Sequence, residues 1–180
     1  NEQIDTSVVN GVECEPYLVS DYEVMLNSPH EMIKGLMYVM KAMKAKKGVI
    51  AIKKKYKEIQ KVLEFALREY PDIDIVVQPV GNYYPQGWEL ETVKSAIGLT
   101  IPQGQLTAKY GVLIFNVSTL ASVYHAVKHR MPVLERFFTL SGDGIKNMNF
   151  RARIGTKITD LVQIAGGYLN PEIPKTLIIG

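Results

Sequence analysis

The chain is 180 residues long, 47% hydrophobic and 22% charged, enough to bury a core for one full domain and part of another. Its 21 basic and 18 acidic residues leave a net charge of +3, too small an excess to argue for nucleic acid as a partner. A single cysteine, Cys14, excludes an internal disulfide and the four-thiolate set of an iron–sulfur cluster, and no apolar run nears the roughly 20 residues that a membrane span needs.

The N-terminus, Asn1-Glu-Gln-Ile-Asp, has neither the basic head nor the apolar body of a signal peptide, and it lacks an initiator Met. Together with the lone thiol this reads as a piece of a longer chain from a reducing, cytoplasmic compartment. Val8-Val9 is a short buried strand whose exit is Asn10-Gly11, and Pro16 keeps a helix from starting at once. Asn10, Glu13 and Glu15 therefore stand at a strand's carboxyl end, the edge where open α/β sheets collect ligands. Ser28-Pro-His-Glu31 has the form of a capping box with proline at the first helical position, opening a helix with Met32, Ile33, Leu36, Met37, Met40 and Met43 on one face. Those methionines read as core filler. Nine lysines lie between Lys41 and Lys61 with Glu58 the only acid among them. The run reads as a solvated face, with a docking surface for an acidic protein or lipid headgroups as the alternative.

Val49–Ile52 is a continuous apolar strand of the type parallel sheets bury on both faces. A second amphipathic helix turns Ile59, Val62, Leu63, Ala66, Leu67 and Tyr70 inward until Pro71 stops it, and Ile73–Val80 is the next strand. Asn82-Tyr-Tyr-Pro-Gln-Gly-Trp88 is a turn-rich loop, after which Trp88–Ile97 is helical and Gly98 ends the helix. Val112–Phe115 is a strand leading into Asn116, and Ser118 or Thr119 caps a helix carrying Leu120, Val123, Tyr124 and Val127 on one face. The alternation predicts an α/β fold over residues 1–132: a Rossmann-like, mostly parallel sheet with flanking helices and right-handed crossovers.

Pro132 marks a boundary. Val133–Leu140, the Ser141-Gly-Asp-Gly144 turn and Asn149–Ile154 form a hairpin, Thr156 caps a short helix ended by Gly166-Gly167, and Lys175–Gly180 starts another strand. This order over residues 133–180 resembles a partial β-grasp domain. His125 and His129 have the i, i+4 spacing that zinc can use, but no third ligand is identifiable, so no metal site is expected. Cys14 lies between Glu13 and Glu15, which discourage thiolate formation, and a nucleophilic role is not expected.

Three strand-exit loops carry the polar residues: Asn10 to Asp21, Tyr84 to Glu89, and Asn116 to Thr119. With Asn10-Gly-Val-Glu-Cys-Glu-Pro-Tyr17, Tyr84-Pro-Gln-Gly87 plus Glu89, and Asn116-Val-Ser-Thr-Leu-Ala121, the chain resembles the flavin- and NADH-binding subunit of respiratory complex I. It resembles more closely the C subunit of the Rnf electron-transport complex, a family with cobalamin-reductase and proline-reductase-associated relatives. The hairpin with Ser141-Gly-Asp and Arg153-Ile-Gly-Thr156 is similar to the soluble-ligand-binding β-grasp module that follows the flavin domain there. The resemblance implies an oxidoreductase subunit that exchanges hydride between NADH and FMN and single electrons with 4Fe-4S clusters. It implies cofactor contacts from Asn10, Glu13, Glu15, Gly87, Glu89, Asn116, Ser118 and Thr119, with the flavin phosphate at the helix that opens at Ser118.

None of those residues is expected to act as a proton-transfer catalyst. The implied partners are electron-transfer proteins, among them subunits that would hold the chain at the periphery of the inner membrane. The family's glycine-rich loop upstream and cysteine-rich cluster motifs downstream are not in this stretch, so the clusters are expected in a C-terminal region beyond it. Trp88 departs from the family, where a small or acidic residue is usual. An indole there either stacks on a ring or fills the pocket. If it fills the pocket, the chain is instead a non-catalytic binding or scaffold protein with a degenerate flavin site.

Overall fold

A computed structural model describes residues 2–179. Four strands form a parallel sheet: β1 (Thr6–Gly11), β2 (Lys47–Lys53), β3 (Ile75–Val80) and β4 (Val112–Asn116), in the spatial order β3-β2-β1-β4. The helices α1 (Ser20–Asn27), α2 (Pro29–Met43), α3 (Lys57–Leu67) and α5 (Val117–His129) cover one face, and α4 (Glu89–Ile97) covers the other. Successive side chains of a strand point to opposite faces. Val9, Ile50 and Ile52 accordingly meet Met32, Leu36, Ile59, Leu63 and Leu120 on the first face, while Val8 and Val49 meet Val93 and Ile101 on the second. That is why both central strands are apolar without alternation.

The chain lays down β1, β2 and β3 outward in one direction, then returns to place β4 on the far side of β1. The order reverses between β1 and β4, and the crevice outside the carboxyl ends of such a pair is where doubly wound sheets bind ligands. Helices α2 and α5 pack tightly at Gly35, where an added Cβ would run into the Leu120 backbone carbonyl.

Several local expectations are corrected. Helix α1 is absent from the sequence reading, because only Val24 and Met25 of its eight residues are buried and no apolar stripe announces it. The capping box at Ser28 does not form: Ser28 ends α1 through its N–H to the Val24 carbonyl, and no side-chain hydrogen bond caps α2 there. Glu31 instead reaches α5, with Oε2 3.1 Å from His125 Nε2. Met43 is exposed, not part of the α2 core face. At α5 the cap is Asn116, not Ser118 or Thr119.

Beyond α5, β5 (Glu135–Leu140) and β6 (Met148–Arg153) form an antiparallel pair, and α6 (Ile158–Ile164) packs on it through Val162, together with Ala165 at its end, against Leu140 and Phe150. Thr156 does not cap α6; its hydroxyl donates to the Arg153 carbonyl at 2.7 Å. The strand expected from Lys175 is not formed over residues 175–179, where Leu177, Ile178 and Ile179 are exposed; its last residue, Gly180, lies outside the described residues. The second unit is therefore a ββα arrangement. Among the described residues, no helix is long and apolar enough to cross a membrane.

Candidate functional site

The carboxyl ends of β1 and β4 bring Asn10 and Asn116 side by side as register partners on adjacent strands, which puts the two backbones about 5 Å apart. Asn10 is the tie between the first and second loops. Its Nδ2 donates to the Gly87 carbonyl at 2.8 Å, and its Oδ1 accepts from the Val12 N–H at 3.2 Å. Gly87 lies flat on the first loop: a Cβ at that position would sit 2.8 Å from Cys14 Sγ. Glycine is required here by close approach, since its backbone dihedrals are not in the left-handed region.

Asn116 ties the first loop to the third. Its Oδ1 accepts from the N–H groups of Ser118 at 2.8 Å and Thr119 at 3.4 Å, and its Nδ2 donates to Asp21 Oδ2 at 2.7 Å. The Ser118 hydroxyl lies 3.4 Å from the other Asp21 oxygen. This differs from the expected open helix terminus, because the Asn116 side chain occupies two of the N–H groups that an incoming phosphate would seek.

Glu13 is built into the frame. Its Oε1 accepts from the Ser20 hydroxyl at 3.1 Å and the Asp21 N–H at 2.9 Å, and its Oε2 from the Tyr22 N–H at 3.4 Å. A carboxylate at the start of a helix satisfies orphan donors and the positive end of the dipole together. Reaching that position requires the left-handed backbone of Glu13 (φ 43°), which is costly for a residue with a side chain. Lys53, at the end of β2, donates from Nζ to the Glu13 carbonyl at 2.6 Å. Burial and the neighbouring Lys55 push the Lys53 ammonium below its usual pKa.

Asp21, outside the predicted set, is the most perturbed group of the rim. Burial first, and then the Glu13 carboxylate, raise its pKa to about 7, against the opposing pull of the hydrogen bonds from Asn116 and Ser118. The sequence signal for it was present in its place just beyond the first motif, but its role depends on α1. Glu15 is exposed, and Glu89 is exposed with its Oε1 accepting from the Thr107 hydroxyl at 2.9 Å. Four aromatic rings stand open around the loops: Tyr17, Tyr83, Tyr84 and Trp88. Trp88 is 59% exposed and meets Tyr84 edge-to-face with centroids 6.2 Å apart, so much of the indole is open to solvent.

The eight predicted residues thus divide by role. Asn10, Glu13, Gly87 and Asn116 organise the rim, while Glu15, Glu89 and Thr119 present exposed side chains along it, and half-buried Ser118 faces Asp21. Carboxylates accept from the hydroxyls of a ribityl chain or ribose, and open aromatic faces suit a planar heterocycle. The residues therefore fit the ring and polyol portions of a flavin nucleotide. His125 and His129 have ring centroids 5.7 Å apart, and no metal-binding group of three or more His, Cys, Asp or Glu occurs among the described residues.

Comparison with known proteins bears on the family and the fold. The chain is 31% identical over its whole length to the C subunit of the proton-translocating ferredoxin:NAD(+) oxidoreductase complex of Clostridium ljungdahlii, of which it covers 38%. It is 31% identical over 93% of its length to the C subunit of the Na(+)-translocating ferredoxin:NAD(+) oxidoreductase complex of Acetobacterium woodii, again covering 38%. The C subunit of an ion-translocating oxidoreductase complex of Yersinia pestis is 34% identical over 98% of the chain, which covers 28% of it. The chain thus spans well under half of these relatives. In crystal structures of an NAD+-reducing [NiFe]-hydrogenase, the H2-reduced and air-oxidized states superpose with TM-scores of 0.79 and 0.75, at 19% and 20% identity. Each superposition covers 91% of this chain and 33% of the hydrogenase chain, a likeness of fold. With residues 1–125 matching the Nuo51 FMN-binding domain, the chain belongs to that family.

Proposed function

We propose that this chain is the flavin-binding part of an electron-transport oxidoreductase subunit of the Rnf-C type, and that its rim binds FMN and admits NADH. The observation that carries the reading is the meeting of three distant loops at the β1/β4 switch point, tied by Asn10 to Gly87 and by Asn116 to Asp21. FMN held at this rim would supply the chemistry of taking up a hydride as a pair of electrons and releasing them singly. The residues bind and orient. Asn10 fixes the second loop against the first, Glu15 and Glu89 take hydroxyl hydrogen bonds, and the Tyr84 and Trp88 rings offer stacking faces.

No group at the rim is assigned a proton-transfer step. One cysteine cannot hold an iron–sulfur cluster, so the single-electron partners belong to other segments or subunits. Partner subunits would also provide any attachment to a membrane. The exposure of Trp88 supports stacking over a plugged, non-catalytic pocket. The test is flavin content and NADH-dependent dye reduction by the full-length parent protein, prepared anaerobically. The reading expects both; absence of both ends it.

A further inference from the structure

The charges of the rim are unevenly placed. Its first two loops carry Glu13, Glu15, Asp21 and Glu89, whereas the opening turn of α5 holds no acidic residue and presents the Ser118 and Thr119 hydroxyls. The anionic end of a ligand is therefore directed to the third loop, away from like charge. One carboxylate nonetheless stands directly against that loop. Asp21 reaches across the crevice, accepting from Asn116 Nδ2 at 2.7 Å and from the Ser118 hydroxyl at 3.4 Å.

Asp21 has donors but no counter-ion. Among the described residues no Lys, Arg or His forms an ion pair with Glu13, Glu15 or Asp21. Glu13 lies beside it, with Oε1 accepting from the Asp21 N–H at 2.9 Å, and Glu15 adds a smaller repulsion. Lys53, at the end of β2, is held on the Glu13 carbonyl. On the elements that pack against α1, Glu58 of α3 accepts from the Tyr22 hydroxyl, Glu31 of α2 is paired with His125 of α5, and Glu135 of β5 with Arg151. Strand β1 has no charged residue, and Glu23 on α1 itself accepts from Asn27. Burial, and after it the Glu13 charge, accordingly raise the Asp21 pKa to about 7.

A phosphate monoester carries nearly two negative charges at neutral pH, its second pKa lying near about 6. Set at the third loop, it brings that charge close to Asp21, and like charge in such proximity favours the neutral acid. Neutralisation leaves the tie to Asn116 in place, because a protonated carboxyl keeps an acceptor oxygen for the amide N–H.

We propose that Asp21 is a positioning residue that takes up one proton from solvent as FMN enters: it holds Asn116 in either ionisation state, and as the neutral acid it no longer repels the nucleotide's phosphate. This rests on the flavin reading and adds a proton to it. The ionised carboxyl, one proton and the FMN dianion combine into a complex with neutral Asp21; the proton returns to solvent when the nucleotide leaves, and no electron moves.

The test is isothermal titration calorimetry of this chain in buffers of different ionisation enthalpy, which reads the protons taken up per ligand bound. The probes are FMN and riboflavin, the same ring and ribityl chain without the phosphate. At about pH 8 nearly one proton should enter with each FMN, at about pH 6 almost none, and with riboflavin almost none at either. FMN affinity should fall about tenfold between about pH 7 and pH 8.5, and Asp21→Asn should lose that fall while Asp21→Glu, which still titrates, retains it. FMN binding at pH 8 without proton uptake, equal uptake with riboflavin, or a wild-type pH profile in Asp21→Asn would each overturn the role of Asp21 and leave the flavin reading standing. Failure of both probes to bind at pH 6, where Asp21 already holds its proton, would end the flavin reading and this role with it.

Discussion

Replacing Asp21 by Asn should make the protein's stability less sensitive to a rise in pH between about 4 and 7. The Asp21 carboxyl sits among Glu13, Asn116 and Ser118 at the start of α1, with its pKa raised from 3.8 to about 7 by burial and by the Glu13 charge. Because the folded state holds this proton more tightly than the unfolded chain, the stabilisation is complete below the unfolded value. It falls as pH rises and is gone above the folded value. Between about pH 5 and pH 8.5 the loss from this one group is roughly 2 to 3 kcal/mol. For a domain of this size that is a fall in Tm of roughly 5–10 °C. Asn keeps an oxygen for the Asn116 donor and carries no charge, so the variant should lack this component. The assay is thermal or urea unfolding of both proteins across that range, read as the difference between the two pH profiles. Parallel profiles would refute the reasoning, because Asp21 would then carry an ordinary carboxylate and the crowding of charge at the rim would have no thermodynamic consequence.

Other perturbations follow from the same contacts. Asn10→Ala removes two hydrogen bonds and should cost about 1–3 kcal/mol in urea unfolding, with faster amide hydrogen exchange at residues 84–88. Glu13→Ala leaves the first turn of α1 without its acceptor and should cost about 1–2 kcal/mol, with exchange rising over Ser20–Asn27 while the β-sheet stays protected. Gly35→Ala forces α2 away from the Leu120 carbonyl and should cost about 1–3 kcal/mol or more by overpacking; an unchanged Tm would show that the two helices have slack.

The sheet was legible because its signal is local and repeated. Val8-Val9 and Val49–Ile52 are apolar on both faces, the second followed directly by an amphipathic helix and the first by one that comes after α1, and the strands form at those places with slightly extended ends. The convergence of Asn10, Gly87 and Asn116 was legible too, because Asn10 and Asn116 stand at strand ends and Gly87 in the loop after β3, and parallel strands gather their exits at one edge. What could not be read were contacts made across long gaps in the chain. Ser28 and Glu31 have capping spacing, yet Glu31 is drawn to His125, 94 residues away. Glu13 looked like a ligand contact and is the cap of a helix that begins seven residues later, a distance no local capping rule covers. The strand after α6 fails for a related reason: residues 175–179 have the β-branched composition but no partner strand to pair with among the described residues.

If the three loops form one flavin-binding rim, all three respond to the same ligand. Titrating FMN into 15N-labelled protein and following backbone amide shifts tests it most directly. Residues 10–21, 82–89 and 116–119 should move together with one saturation curve, and Asn116→Ala should weaken binding about tenfold while Asp143→Ala, in the β5–β6 turn, leaves it unchanged. Shifts confined to a single loop, or centred on β5 and β6 with the β1/β4 crevice silent, would contradict it.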